Sequence, residues 1–431
     1  MRNENIVAQA DIIIKSRILC DHCLGRLFGL LGYGLDNRER GRAIKTLLLM
    51  NAYSVNQGIK DEELIYALAR SGFEPAINIL KKFNKDIKIE KCEICNDIFD
   101  KLEEIAKDIA LRASEYEYNT FQIGCHAPLE IIRKEENIWT FHNLENAESF
   151  KNEFTRELGK IFSSITNKEY SQHSPDLLIV VDLTNNSFEI SSKSIYLYGR
   201  YRKLVRGLPQ NPWIYEKDER IKYDTSIEEL IIKPLISLAK ASGAKFHASG
   251  REDIDVRMLG NGRPFVVEIK NPKTRSINLL KAEKEINKYG QGLIEVSSLK
   301  FVDKSYVSKI KALSEISRKV YVAVVKFSKN IDENKLVELE KFFKNIVIIQ
   351  RTPTRVLHRR SDKIRRKIVY EVKAKRLNDN VVEFQIECQG GLYIKELIHG
   401  DGGRTKPSFS DFLNNKVLEI LLDVVDIQEI V

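Results

Sequence analysis

The stretch HASGREDIDVRMLGNGRPFVVEIKNPK, His247 to Lys273, sets three acids (Glu252, Asp253, Asp255) among three arginines (Arg251, Arg257, Arg263). Gly260 and Gly262 follow, then an apolar run from Phe265 to Ile269. In extended chain, residues two apart share a face, so Arg251, Asp253 and Asp255 project together. A neighbouring cation keeps a carboxylate ionised, as a nucleophile or base requires. The same pattern suits a salt-bridged loop, and charge pattern alone leaves both readings open. The two glycines read as the turn that sends the chain into the strand at Phe265.

The rest of the chain supplies the context. At 431 residues it exceeds one ordinary core, so two or three domains are expected. Its 43% hydrophobic and 30% charged content is that of a globular protein, and its net charge of +9 favours a polyanionic partner only where the charge is concentrated. No apolar run approaches the ~20 residues of a membrane helix. The N-terminal MRNENIVAQADIIIKSR lacks the uninterrupted apolar core of a leader. A cytoplasmic protein without a membrane partner is expected, and a monomer, since no oligomerisation signal is found.

Residues 1–115 read as helical, with DEELIYALARSGFEPAINILKKF carrying apolar residues at helical spacing. Six cysteines include two pairs, Cys20-x-x-Cys23 and Cys92-x-x-Cys95. In a reducing compartment this spacing points to metal rather than disulfides, and four thiolates suit tetrahedral zinc. His22, between the first pair, is an alternative ligand. A site closed by four protein ligands leaves no open position, so the zinc would be structural.

From about Phe121 the pattern becomes mixed. PDLLIVVDLTNNSFEISSKSIYLYGRYRKL reads as a strand, an Asn-Asn turn, a strand and a third strand. TSIEELIIKPLISLAKA reads as a helix behind a Thr225-x-x-Glu228 capping box. Strands follow at RPFVVEIK and KVYVAVVKFS, a hairpin around Asn378-Asp379-Asn380, and a final strand after PSFSDFLNN. The fold class is α+β, with a mostly antiparallel sheet in the second half.

Two clusters concentrate the basic charge. YGRYRKLVRG alternates Arg200, Arg202, Lys203 and Arg206 with Tyr198 and Tyr201, and RTPTRVLHRRSDKIRRK holds Arg355, Arg359 and Arg360 with Asp362 as its one acid. Cations release counterions from phosphates and tyrosines stack on bases, so both read as RNA-binding, toward loop or single-stranded RNA rather than DNA. GGLYIKELIHGDGGRTKPS, from Gly390, places Tyr393 and Lys395 among apolar residues. It is neither a G-x-G-x-x-G after a strand nor a P-loop, so no nucleotide cofactor is implied.

Taken together, GREDIDVRMLGNGRPF, YGRYRKLVRGLPQ, QRTPTRVLHRR, GGLYIKELIHGDGGRTKPS and the two cysteine pairs resemble the archaeal tRNA pseudouridine synthases that act on uridines 54 and 55 of the T-loop. The resemblance implies two regions. Residues 1–195 would form an accessory RNA-binding region, a helical zinc module plus a THUMP-like α/β domain. Residues 196–431 would form a pseudouridine synthase core with a mixed, mainly antiparallel sheet and a central cleft. The partner would be tRNA, gripped at the T-arm. By the shared G-R-x-D order, Asp253 rather than Asp255 matches the nucleophile, and Arg251 matches an arginine that holds the flipped-out nucleotide. Lys395 matches the cation paired with the catalytic carboxylate, Tyr321 a tyrosine that stacks on uracil, and Tyr393 a second substrate contact. Ile394 and Leu422 match the pocket wall. Such an isomerisation uses no redox, ATP or methyl-donor cofactor. The rival reading is a non-catalytic, zinc-containing tRNA-binding protein or chaperone, in which Asp253 belongs to an ion-pair loop.

Overall fold

The computed structural model describes residues 6–213 and 223–428. The chain divides into two units, Met1–Lys193 and Ser194–Val431. Among the described residues, no helix is long and apolar enough to cross a membrane.

The first unit opens with helices α1 (Ile6–Ser16), α2 (Asp21–Arg26) and α3 (Asn37–Ala52), a short pair β1 (Tyr53–Ser54) and β2 (Gly58–Ile59), then α4 (Glu62–Arg70), α5 (Glu74–Lys82) and α6 (Leu102–Ala113). Local chemistry sets the helix starts. Asp36 and Glu39 form a reciprocal capping box at α3, and Asp61 accepts the Leu64 N–H at α4. The helical pattern from Asp61 to Phe83 is two helices, because Gly72 turns the chain at φ +77°. An α/β layer follows: β3 (Thr120–His126), α7 (Leu129–His142), α8 (Phe150–Thr166), β4 (Glu169–Tyr170), β5 (Leu177–Asp182) and β6 (Ser187–Ser192). The sheet order is β4-β3-β5-β6, with β3 parallel to both neighbours and β5–β6 an antiparallel hairpin. Phe154, Leu158 and Phe162 of α8 are buried together with Phe121 of β3 in one core that also takes in α1 to α6.

The second unit begins at the third of the strands read from sequence, β7 (Ile195–Lys203). It continues with α9 (Ile227–Ala239), β8 (Gly243–Ala248), β9 (Arg257–Lys270), α10 (Leu279–Tyr289), β10 (Ile294–Val302), α11 (Ser305–Ile316) and β11 (Arg318–Phe327). Then come α12 (Glu333–Phe342), β12 (Ile346–Arg351), β13 (Ile364–Asn378), β14 (Val381–Gln389), α13 (Ile394–His399), β15 (Thr405–Lys406), α14 (Phe409–Leu413) and β16 (Val417–Ile427). The strands form one sheet in the order β10-β7-β9-β16-β11-β14-β13-β12-β15, with β8 also on β9. The β13–β14 hairpin turns where Asn378 pairs Val381.

Two details depart from the sequence reading. The cap of α9 is Ser226, whose hydroxyl accepts the Glu229 N–H, because the chain is still extended at Ser226 (φ −138°, ψ 162°) and the helix starts one residue later than a Thr225 cap would set it. Gly260 and Gly262 are no turn ahead of a strand. They lie inside β9, which starts at Arg257.

There β9 joins two halves of the sheet. Arg257 and Met258 pair in parallel with Asp423 and Val424 of β16, while the same strand pairs antiparallel with β7. Every other pairing in this sheet is antiparallel. Along β9 the register jumps from Met258, opposite Lys203, to Arg263, opposite Tyr201, so a bulge of extra residues absorbs the change. Gly260 sits at its tightest point, at φ +54°, where a Cβ would lie 1.7 Å from the Val425 carbonyl oxygen. Gly260→Ala should therefore destabilise the second unit by roughly 3 kcal/mol or more, whereas Gly243→Ala, which meets open space, should change stability by less than about 0.5 kcal/mol. Denaturant titration of both variants checks this, and equal midpoints would contradict the role given to the bulge.

Candidate active site

The loop between β8 and β9 carries Asp253 to the seam where β9 meets β16. Arg251, Glu252 and Asp253 from this loop, Lys319 and Tyr321 from β11, Tyr393, Ile394 and Lys395 at the start of α13, and Leu422 and Val424 from β16 line one cleft of about 560 Å³. That volume lies within the ~300–1,000 Å³ of small-molecule sites. Ile394 and Leu422 are buried, and Tyr321 is partly buried against the core. Burial pushes the Tyr321 hydroxyl above its ordinary range, so it stays neutral.

The cations on Asp253 come from far along the chain. Arg355, in a 3-10 turn after β12, places Nη1 at 3.0 Å from Oδ1 and Nη2 at 2.9 Å from Oδ2. Lys395 Nζ lies 3.8 Å from Asp253 Oδ2 and 2.6 Å from Asp255 Oδ2. Burial works to raise the Asp255 carboxyl, but the Lys395 hydrogen bond and the charges of Lys395 and Arg355 outweigh it and hold it below the usual range. Arg251, proposed from sequence as the neighbouring cation, lines the same cleft on the exposed side of the loop. Arg355 is itself fixed by Glu396, a carboxylate 1% exposed, at 2.7 Å. The sequence reading passed over Glu396 because an acid one residue after Lys395 carries no signal that it turns inward.

The side chains of the first basic cluster are engaged by the protein itself. Lys203 is buried, and its Nζ donates to the carbonyls of Asp253 (3.2 Å) and Ile254 (2.8 Å). Burial pushes its amine down to about 8. Arg206 donates to the carbonyls of Asp255 (2.7 Å) and Leu422 (2.6 Å) and pairs with Asp423. Arg200 donates to the carbonyls of Asn261, Gly262 and Ile427, and Arg202 pairs with Glu295. Tyr198 and Tyr201 are buried, so neither ring offers a face to a base. The Tyr201 hydroxyl donates to Glu252, which also forms an ion pair of 2.8 Å with Arg263, both side chains 2% exposed. The alternation of basic and aromatic residues reflects a β-strand of an internal sheet whose long polar side chains reach backbone carbonyls.

The second cluster stays at the cleft. Arg360 Nη1 donates to the Tyr393 hydroxyl at 2.8 Å, and the guanidinium groups of Arg355 and Arg365 lie 6.0 and 5.6 Å from the Tyr393 ring centre. The side chain of Arg359 lies outside the described residues. Gln350, fully buried on β12, exchanges two hydrogen bonds with the Tyr393 backbone and so sets where α13 begins.

In the first unit, the sulfurs of Cys20, Cys23, Cys92 and Cys95 lie within 4.8 Å of one another. Four sulfurs about 2.3 Å from one ion form such a tetrahedron, so the donor set fits zinc. Burial pushes the Cys23 thiol up, while Arg26, fully buried beside it and 3.4 Å from Glu135, works the other way; among the described residues none of the Arg26 nitrogens makes a hydrogen bond. A buried cation beside thiolates offsets the negative charge of a four-thiolate site. His22 is not part of the group: it stacks on Phe99 at 4.3 Å, and its Nδ1 lies 2.8 Å from Glu153. Cys92→Ser should lower bound metal on protein purified without added zinc and reduce the melting temperature of the first unit. Elemental analysis and a thermal melt check it, and unchanged metal content in the variant would rule the tetrad out as the ligand set.

Residues 196–428 match the family described as Pus10, C-terminal, and residues 105–182 match the Pus10 THUMP domain, archaeal. The tRNA pseudouridine synthase Pus10 of Thermofilum pendens is 53% identical over 97% of this chain and 94% of that protein. The proteins of the same name from Methanopyrus kandleri (42% identical, 94% of this chain and 95% of that protein) and Pyrococcus furiosus (39%, 98% of each) match as fully. Among solved structures, one titled Crystal Structure of a Cbf5-Nop10-Gar1 Complex aligns loosely, with 17% identity, a TM-score of 0.28 and coverage of 53% of this chain and 58% of that one. The sequence matches span both units and nearly the full length of the relatives, and on them the chain belongs to the Pus10 family of tRNA pseudouridine synthases.

Proposed function

We propose that this chain isomerises uridine 55, and uridine 54 with it, in the T-loop of tRNA, with Asp253 as the nucleophile. One observation carries the reading: Asp253 stands in a cleft with both carboxylate oxygens facing Arg355, Lys395 near one of them, and Tyr321, Ile394 and Leu422 around it. A carboxylate so placed is paired with cations, fixed in direction and open to a ligand in the cleft.

The target nucleotide leaves its stack, at a cost of a few kcal/mol. Tyr321 then supplies a flat face for uracil, and Ile394 and Leu422 exclude water beside it. Arg251, on the exposed loop, holds the displaced nucleotide. Asp253 attacks, the uracil detaches from C1′ through N1, rotates, and rejoins through C5 as the bond to Asp253 breaks and its carboxylate is restored. The electron pair of the N1–C1′ bond leaves with the ring and returns through C5, and the proton lost at C5 is matched by one gained at N1. Reactant and product are isomers, so the reaction draws on no redox or nucleotide cofactor. Zinc on the cysteine tetrad would fasten the first unit and take no part in this chemistry. Arg355 and Arg360 supply phosphate-binding charge at the mouth of the cleft, with Arg359 next to Arg360 in sequence.

Asp253→Asn should lower pseudouridine formation by more than about a thousandfold while tRNA binding stays within a few-fold, measured by pseudouridine-selective labelling of a tRNA transcript. A variant that turns over at the wild-type rate would remove Asp253 from the role. Lys203→Met separates scaffold from RNA contact. With Lys203 holding the Asp253 loop, turnover should drop more than about tenfold while the salt dependence of tRNA binding is unchanged. A direct phosphate contact would instead reduce the log–log salt slope by about 0.7–0.9.

A further inference from the structure

Lys319 lies two residues before Tyr321 on β11, so both side chains leave the same face of the strand. It is 6% exposed and lines the cleft that holds Asp253. Among the described residues, no hydrogen bond or ion pair meets its amine. Two glycines border it: a Cβ at Gly250 would stand 3.6 Å from Nζ, and one at Gly390 would stand 3.4 Å from Cε, both ordinary contacts. The charged and titratable groups around it are Arg263 on β9, Glu252 on the catalytic loop, Cys388 on β14 and Lys367 on β13.

Packing alone gives no reason for an amine here. A methionine would fill the same space without the cost of burying an unpaired polar group. Gly250 of the Asp253 loop and Gly390, just after β14, border the end of the side chain, and its amine lines the cleft. Burial and the charge of Arg263 push it down to about 7, with Cys388 and Glu252 opposing. Its charge therefore changes with small changes in what occupies the cleft.

We propose that Lys319 is a substrate-contacting catalytic residue, its amine meeting the ring-oxygen edge of the flipped-out uracil and balancing the negative charge that edge gains as the N1–C1′ bond breaks. The proposal rests on the reading of this cleft as the uridine site. Whichever carbon Asp253 attacks, the N1–C1′ electron pair moves onto the ring and spreads to its oxygens until C5 bonds C1′. A buried cation directed at that edge acts where little water competes, the setting in which electrostatic stabilisation is strongest. Lys395, near Asp253 and Asp255, is the cation of the nucleophile. Lys319 is the cation of the leaving group.

The test uses the full chain and a tRNA transcript, with Lys319→Met as the apolar isostere and Lys319→Arg as the cation-keeping variant. Lys319→Met should lower the single-turnover rate by roughly a hundredfold, with tRNA affinity within about twofold and an undiminished melting temperature. Lys319→Arg should recover part of that rate. Because the protonated amine is the active form, kcat/KM of the wild-type chain should fall as pH rises above about 7, and Lys319→Met should lack that limb. The wild-type profile tests the idea even where a variant folds poorly: kcat/KM that is flat or rising from pH 6 to roughly 9 would overturn it. So would wild-type turnover in Lys319→Met, or a rate loss matched by an equal loss of tRNA binding. A wild-type chain that forms no pseudouridine would instead defeat the reading of the cleft itself.

Discussion

The whole site hangs on two cations, Lys203 buried and Arg206 half-buried, that hold backbone carbonyls. Lys203 and Arg206 donate to the carbonyls of Asp253, Ile254 and Asp255 and to that of Leu422. Carbonyls in an irregular loop have no ladder to satisfy them, and burying them unpaired is costly. By meeting them from the end of β7, the two residues fix the path of the loop and tie it to β16 in one step. The parallel contact of β9 with β16 covers only Arg257–Met258 and Asp423–Val424 and would be a weak join by itself. Asp423 strengthens it by accepting from Arg206 and Arg257 together, which holds its carboxyl below the usual range although burial works against this. The halves of the sheet thus meet at the Asp253 loop, and the cleft is where their strands separate.

A second constraint governs the carboxylates. Glu252, Asp253, Asp255 and Glu396 crowd one region, and carboxylates so close would repel unless each faced a cation. The structure allots them: Arg263 to Glu252, Lys395 to Asp255, and Arg355 shared between Glu396 and Asp253. Burial follows the same division. Glu252 and Glu396 are interior, where a paired carboxylate serves as support, and Asp253 and Asp255 remain accessible. Of the four, Asp253 is the accessible one that lines the large cleft beside Tyr321. Asp253, which sequence chose over Asp255 by resemblance, lines both this cleft and the adjoining cavity, and Asp255 lines only the latter.

Much of this was legible in the sequence, and the misses share a cause. The α+β class, the cysteine tetrad, the β13–β14 hairpin and the strand-to-helix joint at Tyr393 rest on local signals: spacing, period and turn residues. Tyr321 and Leu422, named by resemblance, do meet in the cleft with Ile394 and Tyr393. What local signals could not show is the partner of a charged side chain. Arg200, Arg202, Lys203 and Arg206 read as a polyanion-binding stripe because nothing in YGRYRKLVRG reveals that its strand lies between β9 and β10. The carboxylate partners of Arg355 are likewise distant in sequence. Gly260 read as a turn because a glycine at positive φ marks either a turn or a close approach, and only the neighbouring strand at Val425 tells them apart.

The two basic clusters differ in what they offer a polyanion, although their composition is alike. Donors of the first already face carbonyls and carboxylates in geometry set by a sheet, so a phosphate approaching them would have to displace those contacts. The second borders the cleft, and Arg355 is its critical member, since it is shared between an interior acid and an accessible one. A phosphate that drew Arg355 away would leave Glu396 as an unpaired carboxylate in the interior, which is strongly disfavoured. The guanidinium therefore keeps its hold on Glu396 while its other nitrogens remain within reach of the cleft. That arrangement makes Arg355 a fixed positive wall beside Asp253, suited to orienting a nucleotide that enters. The flanking Arg360 and Arg365, tethered mainly to Tyr393 and to the β12–β13 edge, are left as the arginines that can follow a phosphate backbone.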